Sequence, residues 1–132
     1  MKRIAAVLAG MALALGSGTA ATAQTRAEKG EAKLAKMLEG RVAGDPVKCI
    51  SQHNMSRLEV IDETALVYDA GSTIYVARPK DPKMLDDSDI LVVDRYGSQL
   101  CTNDMIRTVD RMGHFLTGIV FLEDFVPYRK PE

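Results

Sequence analysis

The chain has 132 residues, 17 Lys and Arg against 18 Asp and Glu, a formal net charge of -1 and no Trp. That balance, without a basic cluster, excludes the electrostatic footprint of a nucleic-acid binder and gives anionic lipid little to attract. The length suits one ordinary domain with a small core, which gains from a covalent clip.

Residues 1–23, MKRIAAVLAGMALALGSGTAATA, read as a secretory signal peptide. Lys2 and Arg3 form its basic start, residues 4–15 its apolar core, and Ala21-Thr22-Ala23 a small-residue cleavage site, which puts the cut between Ala23 and Gln24. The apolar run is about a dozen residues, short of the roughly 20 that a spanning helix needs. No cysteine follows the cut to carry a lipid. The expected mature chain therefore starts at Gln24, has no membrane span and works in an oxidising periplasmic or extracellular space. Losing residues 1–23 leaves 15 basic residues (17 minus 2) against 18 acidic ones, a net charge of -3. Residues 24–132 are expected to form one disulfide-linked, β-rich domain.

Residues 25–40, TRAEKGEAKLAKMLEG, are rich in helix formers, with Leu34, Met37 and Leu38 on one stripe and Gly40 placed as a stop. The spacing predicts a helix over residues 28–39 that packs on the domain's own sheet, with a partner-binding amphipathic helix as the alternative. Gly30 and the lack of apolar residues before Leu34 predict a frayed first turn.

Gly44-Asp45-Pro46 then turns the chain into an extended segment that carries Cys49. The stretch RLEVIDETALVYDAGSTIYVARP is the strongest hairpin signal: Leu66 and Tyr68 alternate with Val67, Asp69-Ala70-Gly71-Ser72 turns, and Ile74 and Val76 alternate with Tyr75. Pro79 and Pro82 end that hairpin.

In DILVVDRYGSQLC, residues 90–93 read as a buried strand, Tyr96-Gly97 as a turn, and the rest as a short run into Cys101. Residues 103–110, NDMIRTVD, fit a helix face and a strand side equally. The turn that follows at 110–113 and the extended FLTGIVFLEDFVPY favour strand, and RKPE reads as a free tail. The fold class expected is mainly β within α+β: a small antiparallel sheet or open barrel with one N-terminal helix and one disulfide.

Cys49 and Cys101 are the only cysteines, with 51 residues between them (101 minus 49 minus 1). An even pair in an exported chain is expected to bridge, and closing that loop is worth about 4 kcal/mol in the chain-entropy model. Two other fates stay open on the residues alone. A reactive thiol would need His53 or His114 beside it. A Cys2His2 zinc site is arithmetically available, without the short Cys and His spacings of structural zinc modules. In the expected sheet the bridge ties the first strand to a late central one.

No catalytic elbow, phosphate loop or metal helix is present, so no catalytic, cofactor or metal residues are assigned. Asp86, Asp87 and Asp89 cluster as calcium ligands do, yet without the glycine turn and downstream Glu of a calcium loop they read as a solvated acidic loop. Asp104, Asp110, Glu123 and Asp124 offer carboxyls for acid-base hydrolysis, if a cleft holds two together. Phe121, Phe125 and Tyr128 concentrate the aromatics. The Phe pair, in period two with Ile119, reads as an inward strand face with Tyr128 at the core edge. His53 and His114 read as solvated loop residues.

GRVAGDPVKCI, YVARP, GSQLCTND and LEDFVPY together resemble a family of small exported bacterial proteins described only as a domain of unknown function. The resemblance runs over residues 34–128. Its signature is the pattern Cys-Ile, then Gln-Leu-Cys-x-x-Asp ending at Asp104, then Phe-x-Pro-Tyr ending at Tyr128. Relatives often carry a second cysteine pair, both members of which are missing here, and this implies that Cys49 pairs with Cys101. The chain departs from the family at Ala77, and at Glu123 and Asp124. Ala77 stands where relatives carry Asn, which puts any polar site built there in doubt.

The resemblance implies export and a shared fold, with no active site to carry over. The candidates for a polar site are Asp104 and Tyr128. The expected function is a non-enzymatic exported envelope protein that binds a protein or small-molecule partner. The alternatives are a small envelope hydrolase using Asp104 with another carboxylate, and a purely structural or stress-protective protein.

Overall fold

The computed structural model describes residues 22–51 and 57–132; most of the signal segment and His53 lie outside them. Helix α1 spans Arg26–Met37, two residues earlier at each end than the periodicity predicts. Its first turn is capped rather than frayed. Thr25 Oγ1 accepts the Glu28 N–H at 3.2 Å while the Glu28 carboxylate accepts the Thr25 N–H at 2.7 Å, which satisfies two backbone donors reciprocally. Gly30 is buried because the helix crosses tightly over the 62–64 turn: a Cβ there would meet Thr64 Oγ1 and stand 2.7 Å from the Asp62 carbonyl oxygen. The residue read as a weak point is what lets the two backbones meet.

Among the described residues ten strands form three open antiparallel sheets. The largest runs in the order β1 (Val42–Ala43), β10 (Val126–Arg129), β5 (Thr73–Ala77), β4 (Ala65–Asp69), β3 (Leu58–Ile61). A second holds β6 (Ile90–Asp94), β8 (Met105–Val109) and β9 (Leu116–Val120); a two-stranded ribbon pairs β2 (Cys49–Ser51) with β7 (Gln99–Cys101). Residues 105–109 are thus a strand. The β4–β5 hairpin closes through the predicted turn, with Gly71 at φ 93° and its N–H on the Asp69 carboxylate at 2.7 Å.

Strand alternation distributes the core. One face of the five-stranded sheet turns Ile61, Ala65, Val67, Ile74 and Val76 towards Leu34 of α1, with Met37, Leu38 and Tyr128 at the margin. The other face turns Leu66, Tyr68 and Ala77 towards Ile106, Val120, Leu122 and Phe125, and towards Ile50 and Leu100 of the ribbon. The layers are helix, five-stranded sheet, then the three-stranded sheet with the ribbon. A seam joins the two larger sheets along one side: Pro79 bridges Leu122, Lys80 N–H donates to the Phe121 carbonyl and Glu123 N–H to that of Arg78, both at 2.8 Å.

Cys49 and Cys101 are bonded across the β2–β7 ribbon, with Cα atoms 4.0 Å apart. Lys48 carbonyl accepts the Thr102 N–H at 2.9 Å, so the cysteines occupy the next, non-hydrogen-bonded rung, where opposing Cα atoms come closest. The bridge does not tie a first strand to a central one as the sequence suggested; the paired strands are three residues long and form a sheet of their own. A disulfide belongs to an oxidising, non-cytoplasmic compartment. No helix among the described residues is long and apolar enough to cross a membrane.

Candidate functional site: an uncovered apolar sheet face

The three-stranded sheet has an inner face in the core and an outer face that nothing among the described residues covers. Register fixes the outer rows: Ile90 opposite Val109 opposite Leu116, Val92 opposite Arg107 opposite Ile119, and Asp94 opposite Met105. Phe121 continues the row of Ile119 past the strand end. Leu116 is 58 % exposed, Phe121 50 %, Met105 43 % and Ile119 38 %, with Ile90, Val92 and Val109 half-buried.

A regular strand would put Leu116 and Ile119, three residues apart, on opposite faces. The pairing skips Thr117 between Val109–Leu116 and Thr108–Gly118, and this bulge brings both to the outside. An ion pair on this face is internal: Arg107 Nη2 donates to Asp94 Oδ1 at 2.9 Å, and Arg107 Nε is buried without an acceptor among the described residues. The β8–β9 turn extends the surface at one end with Met112 and Phe115, 88 % and 60 % exposed.

Two expectations are corrected here. Ile119 and Phe121 are not an inward face with Phe125; the chain bends between Val120 and Val126, so that Val120, Leu122 and Phe125 take the core and Phe121 points outward. Nor is β6 a buried strand: residues 90–93 are half-buried, because nothing among the described residues packs on its outer side.

Asp104 closes the β7–β8 turn. Its carboxylate accepts the Cys101 N–H at 2.7 Å and its own N–H donates to the Cys101 carbonyl at 3.1 Å, supplying the partner that the non-hydrogen-bonded rung leaves unmet. It shares with Asp94 a surface depression of about 640 Å³ that also holds Tyr96 and Asn103. Both carboxylates are engaged, Asp94 by Arg107 and Asp104 by the backbone. Tyr128 lies elsewhere, on β10 at the margin of the helix-side core, and lines neither depression at the 102–105 turn. The two polar-site candidates are not brought together.

The acidic loop folds as a set of local turns. Asp86 accepts the Ser88 N–H and hydroxyl at 2.8 and 2.6 Å, which holds its carboxyl below the usual range. Asp89 takes the Thr117 hydroxyl at 2.5 Å. Asp86 and Asp87 meet Asp62 rather than Asp89, with carboxylate oxygens within 4.8 Å of one another. Arg26 supplies the counter-charge, 3.8 Å from Asp62 and 3.5 Å from Asp86. Burial, and then repulsion from Asp86, push the Asp62 carboxyl up. Asp110 organises the β8–β9 turn, accepting the N–H groups of Met112 and Gly113, and His114 is exposed at φ 54° beside it.

No family model, no curated protein and no solved structure matches this chain. The candidate site therefore stands on the molecule's own geometry. Its signal in the sequence is the run Ile90 to Val93 and the segment FLTGIVF, more apolar than a half-solvated sheet requires.

Proposed function

We propose that this chain is an exported, non-enzymatic protein of the bacterial envelope, periplasmic or extracellular, that binds a protein partner through the outer face of the β6–β8–β9 sheet. The observation that carries the reading is the row structure of that face: seven apolar side chains around the Arg107–Asp94 ion pair, which is compensated from within. Continuous apolar surface of this kind, with Met and Phe at its margin, is characteristic of interaction sites. A flat three-stranded face suits another protein better than a small molecule, which is usually held in a concavity.

Export is supported by the leader-like residues 1–23, by the disulfide, and by a helix whose cap is complete at Thr25, so that α1 needs nothing upstream of the predicted cut. The family resemblance carried by the Cys-Ile, Gln-Leu-Cys-x-x-Asp and Phe-x-Pro-Tyr segments points the same way.

The test uses protein expressed with its leader and recovered from the periplasm. Mass spectrometry should find Gln24 first and no free thiol. Crosslinking in an envelope extract should capture a defined protein partner with the native chain. The doubly substituted Leu116→Lys, Ile119→Lys chain should lose that partner while keeping its melting temperature within a few degrees, since both sites face outward. Capture unchanged by the two lysines would defeat the proposal.

A further inference from the structure

The two larger sheets are stitched along the seam at residues 78–80 and 121–123 and gape on the opposite side. There, among the described residues, β3 pairs only with β4 and β6 only with β8, so two strand edges border one groove of about 510 Å³. Alternate backbone N–H and C=O groups of an edge strand point away from its partner, here into the groove. Its walls carry Leu58 and Val60 on one side and Ile90 and Leu91 on the other, set among the charged side chains of Lys33, Glu59, Asp87, Asp89 and Arg111; Leu58, Val60 and Leu91 also pack on the main core.

The geometry points to a strand-accepting groove: an extended segment of a partner protein, four or five residues of alternating apolar pattern with a Lys or Arg at the end beside Asp87, lies between β3 and β6 and pairs with them. Strand addition of this kind draws affinity from main-chain hydrogen bonds and specificity from alternate side chains. The length follows from the edges, four and five residues, or about 13–17 Å at roughly 3.3 Å per residue.

The charge at the end follows from the surroundings. Glu59 is neutralised by Lys33 at 2.5 Å, and Arg111 is turned onto the Ser88 carbonyl at 3.1 Å. Asp87 is exposed and grouped with Asp62 and Asp86 beside Arg26, and Asp89 stands with it on the groove wall, so carboxylates outnumber the cations Arg26, Lys29 and Lys33 around that end of the groove. Two facing edges call for one strand between them. A second folded copy would present a sheet, whose edge strand already has a neighbour. The inference concerns strand edges and does not rest on the outer face.

The probe is a panel of fluorescein-labelled ten-residue peptides, alternating Val and Thr, with Lys or Glu at either end, each with a proline-interrupted control. Binding to the disulfide-intact protein is read by anisotropy and by backbone hydrogen exchange. Lys-ended peptides should bind at least about tenfold tighter than their proline controls, and amides in residues 58–61 and 90–94 should become protected. Asp87→Lys should weaken the Lys-ended peptides by about fivefold or more and favour the Glu-ended ones.

The inference is overturned by proline controls that bind equally well, by no protection on either edge, or by protection that grows with protein concentration in the absence of peptide, which would assign the groove to a second copy. Protection confined to residues 116–120 would also overturn it, while leaving partner binding at the outer face intact.

Discussion

At residue scale, positions that look like defects or catalysts in the sequence turn out to be joints. Gly30 weakens a helix by propensity, yet its missing Cβ is the space that the 62–64 turn occupies. Gly30→Ala should therefore destabilise the protein by roughly 1–3 kcal/mol, since overpacking against backbone outweighs the helix gain. Urea unfolding checks this, and a stabilised variant would refute the close crossing.

Asp104 is legible as special because it follows the second cysteine by three residues, but its task as the acceptor for Cys101 N–H is not, since only the ladder phase shows that this N–H lacks a strand partner. Asp104→Ala should cost about 1 kcal/mol, and Asp104→Asn, which keeps an acceptor, clearly less. An envelope hydrolase built on this residue would instead lose its turnover in the Asn variant at unchanged stability.

At the scale of elements, the hairpin of β4 and β5 is readable outright, because strict alternation and a glycine turn leave one register. The faces of β6 and β9 are not, because a bulge at Thr117 and the bend after Val120 rephase the side chains without any glycine or proline at the bulged residue itself.

Where α1, the β3–β4 turn and the acidic loop meet, Asp62 and Asp86 shift in opposite directions. A raised carboxyl contributes stability that is present at low pH and lost as pH rises through its folded value; a lowered one contributes stability that is lost as pH falls. Asp62→Asn should thus raise the melting temperature modestly near neutral pH, with the gain fading below about pH 4, where the native carboxyl is protonated too. A gain that instead grew on acidification would contradict the burial of Asp62. The pair with Arg26 is more than half exposed on the arginine side and adds little to either arm.

For the whole molecule, export, a disulfide and a β-rich domain with one helix are all expected from composition and pattern. The division into three sheets is not, because chain neighbours are separated: β2 and β7 form a ribbon apart, and β10 enters between β1 and β5. Removing the bridge by Cys49→Ala with Cys101→Ala should lower stability by about 4 kcal/mol in the chain-entropy model, read as a lower urea midpoint at similar slope. A much smaller loss would mean that the bridge confines the unfolded chain little.

The place of β10 also sets an order of events. Val126–Arg129 is an interior strand of the largest sheet, although it is the last strand in the chain. No earlier segment can stand in for it, so Ile74 and Val76 lack their neighbour, and β1 its only partner, until these residues have been synthesised and delivered. Such a nascent chain stays pliable until its final strand arrives, and its architecture locks late in synthesis.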